Sequence, residues 1–453
     1  MFFRNQFRYV LILSVLLSAR LAGAVERLTL SQCLGNAFAA DRTLKSAALQ
    51  IKSAEEQQGA NAAQRWPSLA LTSGYTRIGE ISSFSFPMNG RMTTLQFGTH
   101  NRVTLDLRSQ MPLFTWWKLS NSIALAEQNT ASSRLQAGQS RTALTDQVLR
   151  AFYAVLLNQA ILNILHTNIE RASRYAEISR RRFEAGQLSK LELLRAEVQL
   201  KNEQNGLQSA QGNLDKSIIY LAKTVGHPDS IIFAEGRLEP DAVQMDEAGI
   251  ISRALQHRND LLQLQLRRQI SSRQAELVAS ADKPSVFMFA GYNVSNGFNP
   301  MQPDQFIDNW NVGVQISWPL FDGFATRRNV QTARINQQVA ALQEEELAGL
   351  ITMQIRQALV GIRQAESSIA SQTGNLALAE EALKLAQTQF ENGFSSSLEL
   401  LDAQKALAQI ELARVQAIFN HLMARIDLCR AMGNYEMFGE DLQKDQERIN
   451  ERR

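Results

Sequence analysis

Hydrophobic positions follow two periods along this chain, and the order of those periods is written twice. From Thr29 to Gln64 apolar residues recur at helical spacing through Leu34, Ala37, Leu44, Ala48, Ile51 and Ala54, with Thr29 placed as an N-cap. Pro67 closes that stretch. Leu69, Leu71, Ser73 and Tyr75 then alternate with Ala70, Thr72, Gly74 and Thr76, and Val103, Leu105 and Leu107 alternate with Thr104, Asp106 and Arg108. The alternation predicts two strands joined by a long loop. After Pro112, Leu113 and Phe114 a helical pattern continues for about 68 residues to Glu184, roughly 100 Å at 1.5 Å per residue. Val148, Val155, Leu162, Ile169, Ala176 and Phe183 recur every seven residues along it, the spacing of a coiled-coil seam. A helix about half as long returns from Ser189 to about Thr224.

The turn between those helices occurs twice. Residues 182–195 and 389–402 align at Phe183/Phe390, Gly186/Gly393, Ser189/Ser396 and Leu194/Leu401, each 207 apart. In each copy a helix stops at a glycine, the residue that best tolerates the left-handed conformation there. A Ser-x-x-Glu box (Ser189 with Glu192, Ser396 with Glu399) starts the next helix. The earlier elements repeat at an offset of 217, with Asp246 answering Thr29, Pro284 answering Pro67 and Gly291-Tyr292 answering Gly74-Tyr75. The ten extra residues belong in the first strand-to-strand loop. The second strand pair is expected at Ser285–Val294 and Trp310–Pro319, with Trp310, Val312, Val314, Ile316 and Trp318 on one face. The organisation is thus a leader over 1–24, a first repeat over 25–226, a connection over 227–245, a second repeat over 246–433 and a charged tail over 434–453.

Residues 1–24 read as a secretory leader: Arg4 and Arg8, the apolar run Val10–Leu17, and cleavage between Ala24 and Val25. The apolar run is too short to span a bilayer, and no later apolar run of that length stands out. Leu30-Ser31-Gln32-Cys33 is similar to a lipid-attachment box, but Gln32 sits where such boxes carry a small residue. An oxidising compartment permits a disulfide between Cys33 and Cys429; two buried thiols fit equally well. With 47 basic and 44 acidic residues, charge makes no case for nucleic acid.

Each strand is about ten residues long with one apolar and one polar face, the pattern of a barrel with lipid outside and water inside. Four strands do not close a barrel, so closure requires several identical chains; two would give eight strands and three would give twelve. A soluble antiparallel sheet with one buried face is the alternative.

The duplicated helix, strand pair and helical hairpin, the Gly-Tyr strand pairs, Pro319-Leu320-Phe321-Asp322-Gly323 and the two Phe-Glu-x-Gly…Leu-Glu-Leu-Leu tips together resemble the TolC-type outer-membrane efflux family. The resemblance implies an α+β membrane protein: a homotrimer with a twelve-stranded β-barrel, four strands per chain, continued by an α-helical coiled-coil periplasmic tunnel. It also implies a periplasmic adaptor protein and an inner-membrane pump of the RND, ABC or MFS type as partners. The expected function is an exit duct for efflux or type I secretion in the outer membrane of a Gram-negative bacterium. The departure at Gln32 makes the chain more similar to the TolC-like members than to the lipoprotein branch. A periplasmic coiled-coil scaffold and a constitutively open porin are the rival readings.

Nothing points to catalysis, a cofactor or a metal. His100, His166, His227, His257 and His421 are scattered, without a zinc, phosphate-loop or nucleophile motif. Glu399 and Asp402 lie one turn apart just past the second tip, and by resemblance match an acidic ring at the tunnel mouth. Three copies would put six carboxylates around the lumen. Glu399 could instead serve only its capping box. Arg195 occupies the first-repeat place of Asp402, and is expected to pair with Asp402 or Glu399 across neighbouring hairpins; Glu192 completes the gate set. The family's usual tip arginine falls here on Ser395. Gly186, Gln187, Leu188, Gly393, Phe394 and Ser395 form the exposed turns expected to meet the adaptor. Arg180, Arg181 and Arg182 precede only the first tip, as a solvated face or as a dock for an acidic adaptor.

Overall fold

Element boundaries in the computed structural model follow the caps and breakers of the sequence. The structure describes residues 25–88, 90–240, 246–299 and 302–439; the leader with Ala24, residues 241–245 of the connection and residues 440–453 of the tail lie outside them. The chain runs β1 (Val25–Leu28), α1 (Leu30–Ala40), α2 (Arg42–Ala63), β2 (Ser68–Arg77), β3 (Ser82–Met88), β4 (Arg91–Phe97), β5 (Asn101–Phe114), α3 (Lys118–Glu184) and α4 (Lys190–Val225). The second half runs β6 (Ile231–Ala234), α5 (Glu247–His257), α6 (Asn259–Ala279), β7 (Ser285–Ser295), β8 (Ile307–Ser317), α7 (Ala325–Glu391), α8 (Ser397–Met432) and a 3-10 turn at Glu436–Phe438. Packing divides it into two compact units, one from the described parts of Met1–Ala47, Gln136–Leu262 and Glu346–Arg453, the other from Ala48–Leu135 and Gln263–Glu345. Each unit draws on both sequence repeats.

The second unit holds an antiparallel sheet in the order β2-β5-β7-β8. Two adjacent rows at the middle of the register align like with like across all four strands. Leu71, Leu107, Tyr292 and Trp310 are directly opposite one another in one row, whereas Thr72, Asp106, Asn293 and Asn309 form the adjacent row. Directly opposed residues share a face and successive residues take opposite faces. One face is therefore an apolar band and the other carries amides and carboxylates, joined by the Asn293 Nδ2 to Asp106 Oδ1 bond of 2.7 Å. The apolar band lies bare: Trp310 is 73 %, Val312 67 % and Ile316 69 % exposed. A soluble sheet would bury that face, so the soluble alternative loses its physical basis.

The long loop between the first two strands is corrected to a hairpin. β3 and β4 pair antiparallel from Ser82↔Phe97 to Met88↔Arg91 as a separate two-stranded sheet, which accounts for the ten extra residues. The Thr29–Gln64 helix is likewise two helices. Asp41 ends α1 in extended conformation, and its carboxylate accepts the Leu44 N–H at 2.8 Å; Arg258 makes the same break between α5 and α6. Within the connection, β6 pairs in parallel with β1, Val25↔Ile231 through Leu28↔Ala234.

The first unit is helical around three apolar clusters, one of which gathers Cys33, Val148, Val155, Leu221, Ile426 and Cys429. Cys33 and Cys429 are both buried and no disulfide joins them. Cys33 lies inside the capped helix α1, with Thr29 and Gln32 closing its capping box. Burial pushes the Cys429 thiol up to about 12. The predicted seam on α3 is buried at Val148 and Val155 but opens at Phe183, which is exposed. α3 contains an 18-residue window whose length and mean hydropathy would suffice to cross a membrane, but it is not an unbroken apolar run and nearly half of it is buried inside the protein. The residues just past α8 are packed: Tyr435 donates to Asp146 Oδ1 at 3.0 Å and Phe438 is buried beneath Arg425.

Three non-glycine residues among those described have left-handed backbone, Trp116 (φ 47°), Trp117 (φ 60°) and Phe324 (φ 66°). They occupy the strand-to-helix turns of both repeats, Trp117 and Phe324 at equivalent positions. Each costs about 1–2 kcal/mol relative to an unstrained residue.

Candidate functional site: the hairpin tips

The tips are built by the same local chemistry in both repeats. α3 ends where Gly186 takes φ 73°, with Gln187 N–H donating to Arg182 O (2.8 Å) and Gly186 N–H to Phe183 O (2.9 Å). α7 ends where Gly393 takes φ 79°, with Phe394 N–H donating to Gln389 O (2.8 Å) and Gly393 N–H to Phe390 O (3.1 Å). These paired bonds satisfy the last carbonyls of each helix. Ser189 and Ser396 then cap α4 and α8.

The two capping boxes differ, and the difference separates the two glutamates. Glu192 closes its box, its carboxylate accepting from Ser189 N–H at 3.0 Å and from Ser189 Oγ at 2.8 Å. Glu399 does not: only its N–H is used, by Ser396 Oγ at 3.4 Å, and among the described residues its carboxylate has no partner. The capping explanation for the Glu399 side chain therefore fails. Asp402 is exposed one turn further along α8.

Within one chain the hairpins are clasped by residues that differ between the repeats. Arg182 donates from Nη1 to Phe390 O (2.9 Å) and from Nη2 to Glu391 O (2.8 Å), and its guanidinium sits 4.6 Å over the Phe390 ring. Tyr175 packs edge-on against Phe390 at 5.7 Å and donates to Ser397 O at 3.3 Å. Ser397 Oγ in turn donates to Glu192 Oε1 at 3.2 Å. The Ser189 backbone N–H, with further help from the Ser189 and Ser397 hydroxyls, holds the Glu192 carboxyl below its usual range. Burial raises the Tyr175 hydroxyl. A buried cluster of Tyr175, Ala196, Leu383, Phe390, Leu400 and Leu401 lies beneath.

Of the triple arginine, Arg180 and Arg181 stay on a solvated face and only Arg182 departs from that reading. Arg180 pairs with Glu197 at 2.7 Å, Arg181 pairs with Glu177, and Arg182 crosses to the other hairpin. Tyr175, Arg182 and Ser397 escaped the sequence reading as site residues. The repeat offset of 207 carried a signal for them: it sets Tyr175 against Ala382, Arg182 against Gln389 and Lys190 against Ser397, so the clasp falls where the copies diverge.

Arg195 is exposed, and among the described residues of one chain it forms no ion pair with Glu399 or Asp402. Gln187 is exposed and Leu188 half-buried, while Phe394 is 84 % exposed beside a half-buried Ser395. A side chain added at Gly186 or Gly393 would meet nothing. No cluster of three potential metal ligands occurs among the described residues.

Comparison with known proteins bears on the family and the fold. The family model described as outer membrane efflux protein matches residues 33–227 and 250–434. The chain is 22 % identical over 329 residues to nodulation protein T of Rhizobium leguminosarum bv. trifolii, covering 70 % of each chain. It is 21 % identical over 420 residues to the toluene efflux pump outer membrane protein TtgC of Pseudomonas putida, covering 91 % of this chain and 84 % of that one. The solved outer membrane protein VceC of Vibrio cholerae superposes with a TM-score of 0.74 at 19 % identity, over 89 % of this chain and 96 % of its own.

Proposed function

Since the chain belongs to the outer membrane efflux protein family and is an outer-membrane exit duct, we propose that three copies close one barrel and that its helical tips are the gate. The observation that carries this is the sheet register. A matched apolar row (Leu71, Leu107, Tyr292, Trp310) and the adjacent matched polar row (Thr72, Asp106, Asn293, Asn309) each cross all four strands, and the edge strands β2 and β8 are exposed on both faces. The edge strands β2 and β8 are open to pair with neighbouring copies, and four strands per copy make twelve in a trimer. The sheet then faces lipid with its Trp310 and Val312 side and water with its Asp106 and Asn293 side.

The acidic pair Glu399 and Asp402 supplies six carboxylates around the threefold axis of such a trimer. Glu399 is available for this because its capping box is open. Such a ring favours cations and disfavours anions. Arg195, without an ion pair among the described residues of its own chain, is then a partner for a neighbouring copy's carboxylates. The Gly186–Leu188 and Gly393–Ser395 turns are the surface for a periplasmic adaptor, with Phe394 as its most exposed apolar anchor. The adaptor and an RND, ABC or MFS pump supply energy and cargo selection.

Single-channel conductance in a planar bilayer tests the reading, with wild type beside Glu399→Gln/Asp402→Asn. A small cation-selective wild-type current that loses selectivity in the variant is expected. A large wild-type current indifferent to the substitutions would indicate an open pore, and no current after confirmed insertion would remove the barrel.

A further inference from the structure

The strand-to-helix turns carry more than the barrel requires. In the first repeat Leu113, Phe114, Trp116 and Trp117 are all exposed, the three rings within 5.2–6.3 Å of one another. In the second repeat Trp318, Leu320, Phe321 and Phe324 are exposed, Leu320 to 80 %, with Phe321 and Phe324 at 5.5 Å. Register places both turns at one end of the sheet, since Phe114 pairs with Val286 and Ser317 with Ser285. Ser68 pairs with Gln110, which brings exposed Trp66 and Arg65 to the same end.

The left-handed non-glycine residues among those described are gathered here. Trp116, Trp117 and Phe324 hold a conformation that glycine would adopt without strain, as Gly323 does at φ 67°. Folding alone would favour glycine at all of them, so the rings are kept for something outside the chain. Their basic neighbours are unexplained in the same way. Arg327 and Arg328 lie exposed in the first turn of α7 and Lys118 opens α3, and among the described residues none of the three makes a side-chain hydrogen bond or ion pair. Cations at a helix start are disfavoured by the helix dipole. The nearby acids are engaged: Asp322 accepts from Thr326 N–H at 2.8 Å and Asp282 pairs with Lys283 at 3.4 Å.

We propose that these duplicated turns form a basic aromatic belt that docks on the bilayer surface and binds the anionic headgroups of phospholipids in the leaflet on the helical side. The belt continues the apolar face through Trp310, Val312, Val314 and Ile316 to Trp318, so the rings meet the bilayer at headgroup depth. The guanidinium groups of Arg327 and Arg328 match phosphate oxygens in charge and planar geometry. Zwitterionic headgroups offer the same phosphate with a compensating ammonium, so the belt discriminates by net charge. The inference rests on the barrel reading.

The test uses the full-length protein in vesicles of mixed phosphatidylglycerol and phosphatidylcholine with identical acyl chains. Insertion is scored by flotation, and headgroup preference by spin-labelled lipid. Wild type is compared with Arg327→Gln/Arg328→Gln and with Arg174→Gln/Arg180→Gln, which removes equal charge from the hairpins. We expect wild type to prefer phosphatidylglycerol, and the first double variant to float normally while losing that preference about tenfold. The hairpin variant should keep it, and 1 M salt should weaken it in wild type. An inserted wild type without preference, or equal loss in both variants, overturns the proposal alone. A wild type that does not float overturns the barrel as well.

Discussion

Removing the Arg182 side chain should loosen one hairpin from the other while leaving both folded. Its half-buried, charge-assisted bond to Phe390 O contributes about 1.5 kcal/mol. The exposed bond to Glu391 O is discounted to about 0.5 kcal/mol for solvent competition, and the guanidinium over the Phe390 ring adds about 0.5 kcal/mol. Phe390 O keeps its bond from Gly393 N–H, so the loss leaves no orphaned carbonyl and about 2.5 kcal/mol is expected for Arg182→Ala. That shifts the balance between clasped and separated hairpins by roughly 60-fold. Amide hydrogen exchange reads the shift directly: protection across residues 386–396 should fall by that factor, while residues 210–225 of α4 stay unchanged. Arg182→Lys, which keeps the charge but not the paired geometry, should fall between. If protection over 386–396 changed by less than about twofold in Arg182→Ala, the clasp would be a contact without mechanical consequence.

Three further outcomes follow from other parts of the structure. Gly226 and Gly186 both have left-handed backbone, but a Cβ at Gly226 would lie 2.1 Å from the Ala40 Cβ, whereas at Gly186 it would meet nothing. Gly186→Ala should therefore cost about 1 kcal/mol and Gly226→Ala at least twice that, read as melting temperature of the solubilised protein; equal losses would refute the packing argument. The Glu192 carboxyl is depressed, so its stabilisation is complete above the ordinary glutamate range and is lost as pH falls below that range through the folded value. Hairpin exchange should rise over that acidic window in wild type and not in Glu192→Gln. Cys33 and Cys429 are buried, and the Cys429 thiol is pushed up to about 12, so neither should react with a maleimide until the protein is unfolded; rapid labelling of the native protein would contradict the packed core.

The elements and their duplication are legible in the chain's local patterns alone. Glycine, proline and Ser-x-x-Glu act through local backbone conformation, so Gly186, Gly393, Pro67 and Ser189 declared turns and starts that the structure reproduces. Period-two alternation likewise marked the four strands and their apolar face before any partner strand was known. Only tertiary structure decided what those elements do to one another. Leu71, Leu107, Tyr292 and Trp310 fall in one row because hydrogen-bond register, a long-range property, aligns them. The same Ser-x-x-Glu pattern closes at Glu192 and stays open at Glu399, and only Glu192 also accepts a bond from the other hairpin, from Ser397. Arg182 read as one of three surface charges, yet its partners are carbonyls about 208 residues away, and no local pattern encodes a backbone oxygen as a partner. Local chemistry is legible in a single sequence because it involves near neighbours, whereas the clasp and the register depend on distances that only folding sets.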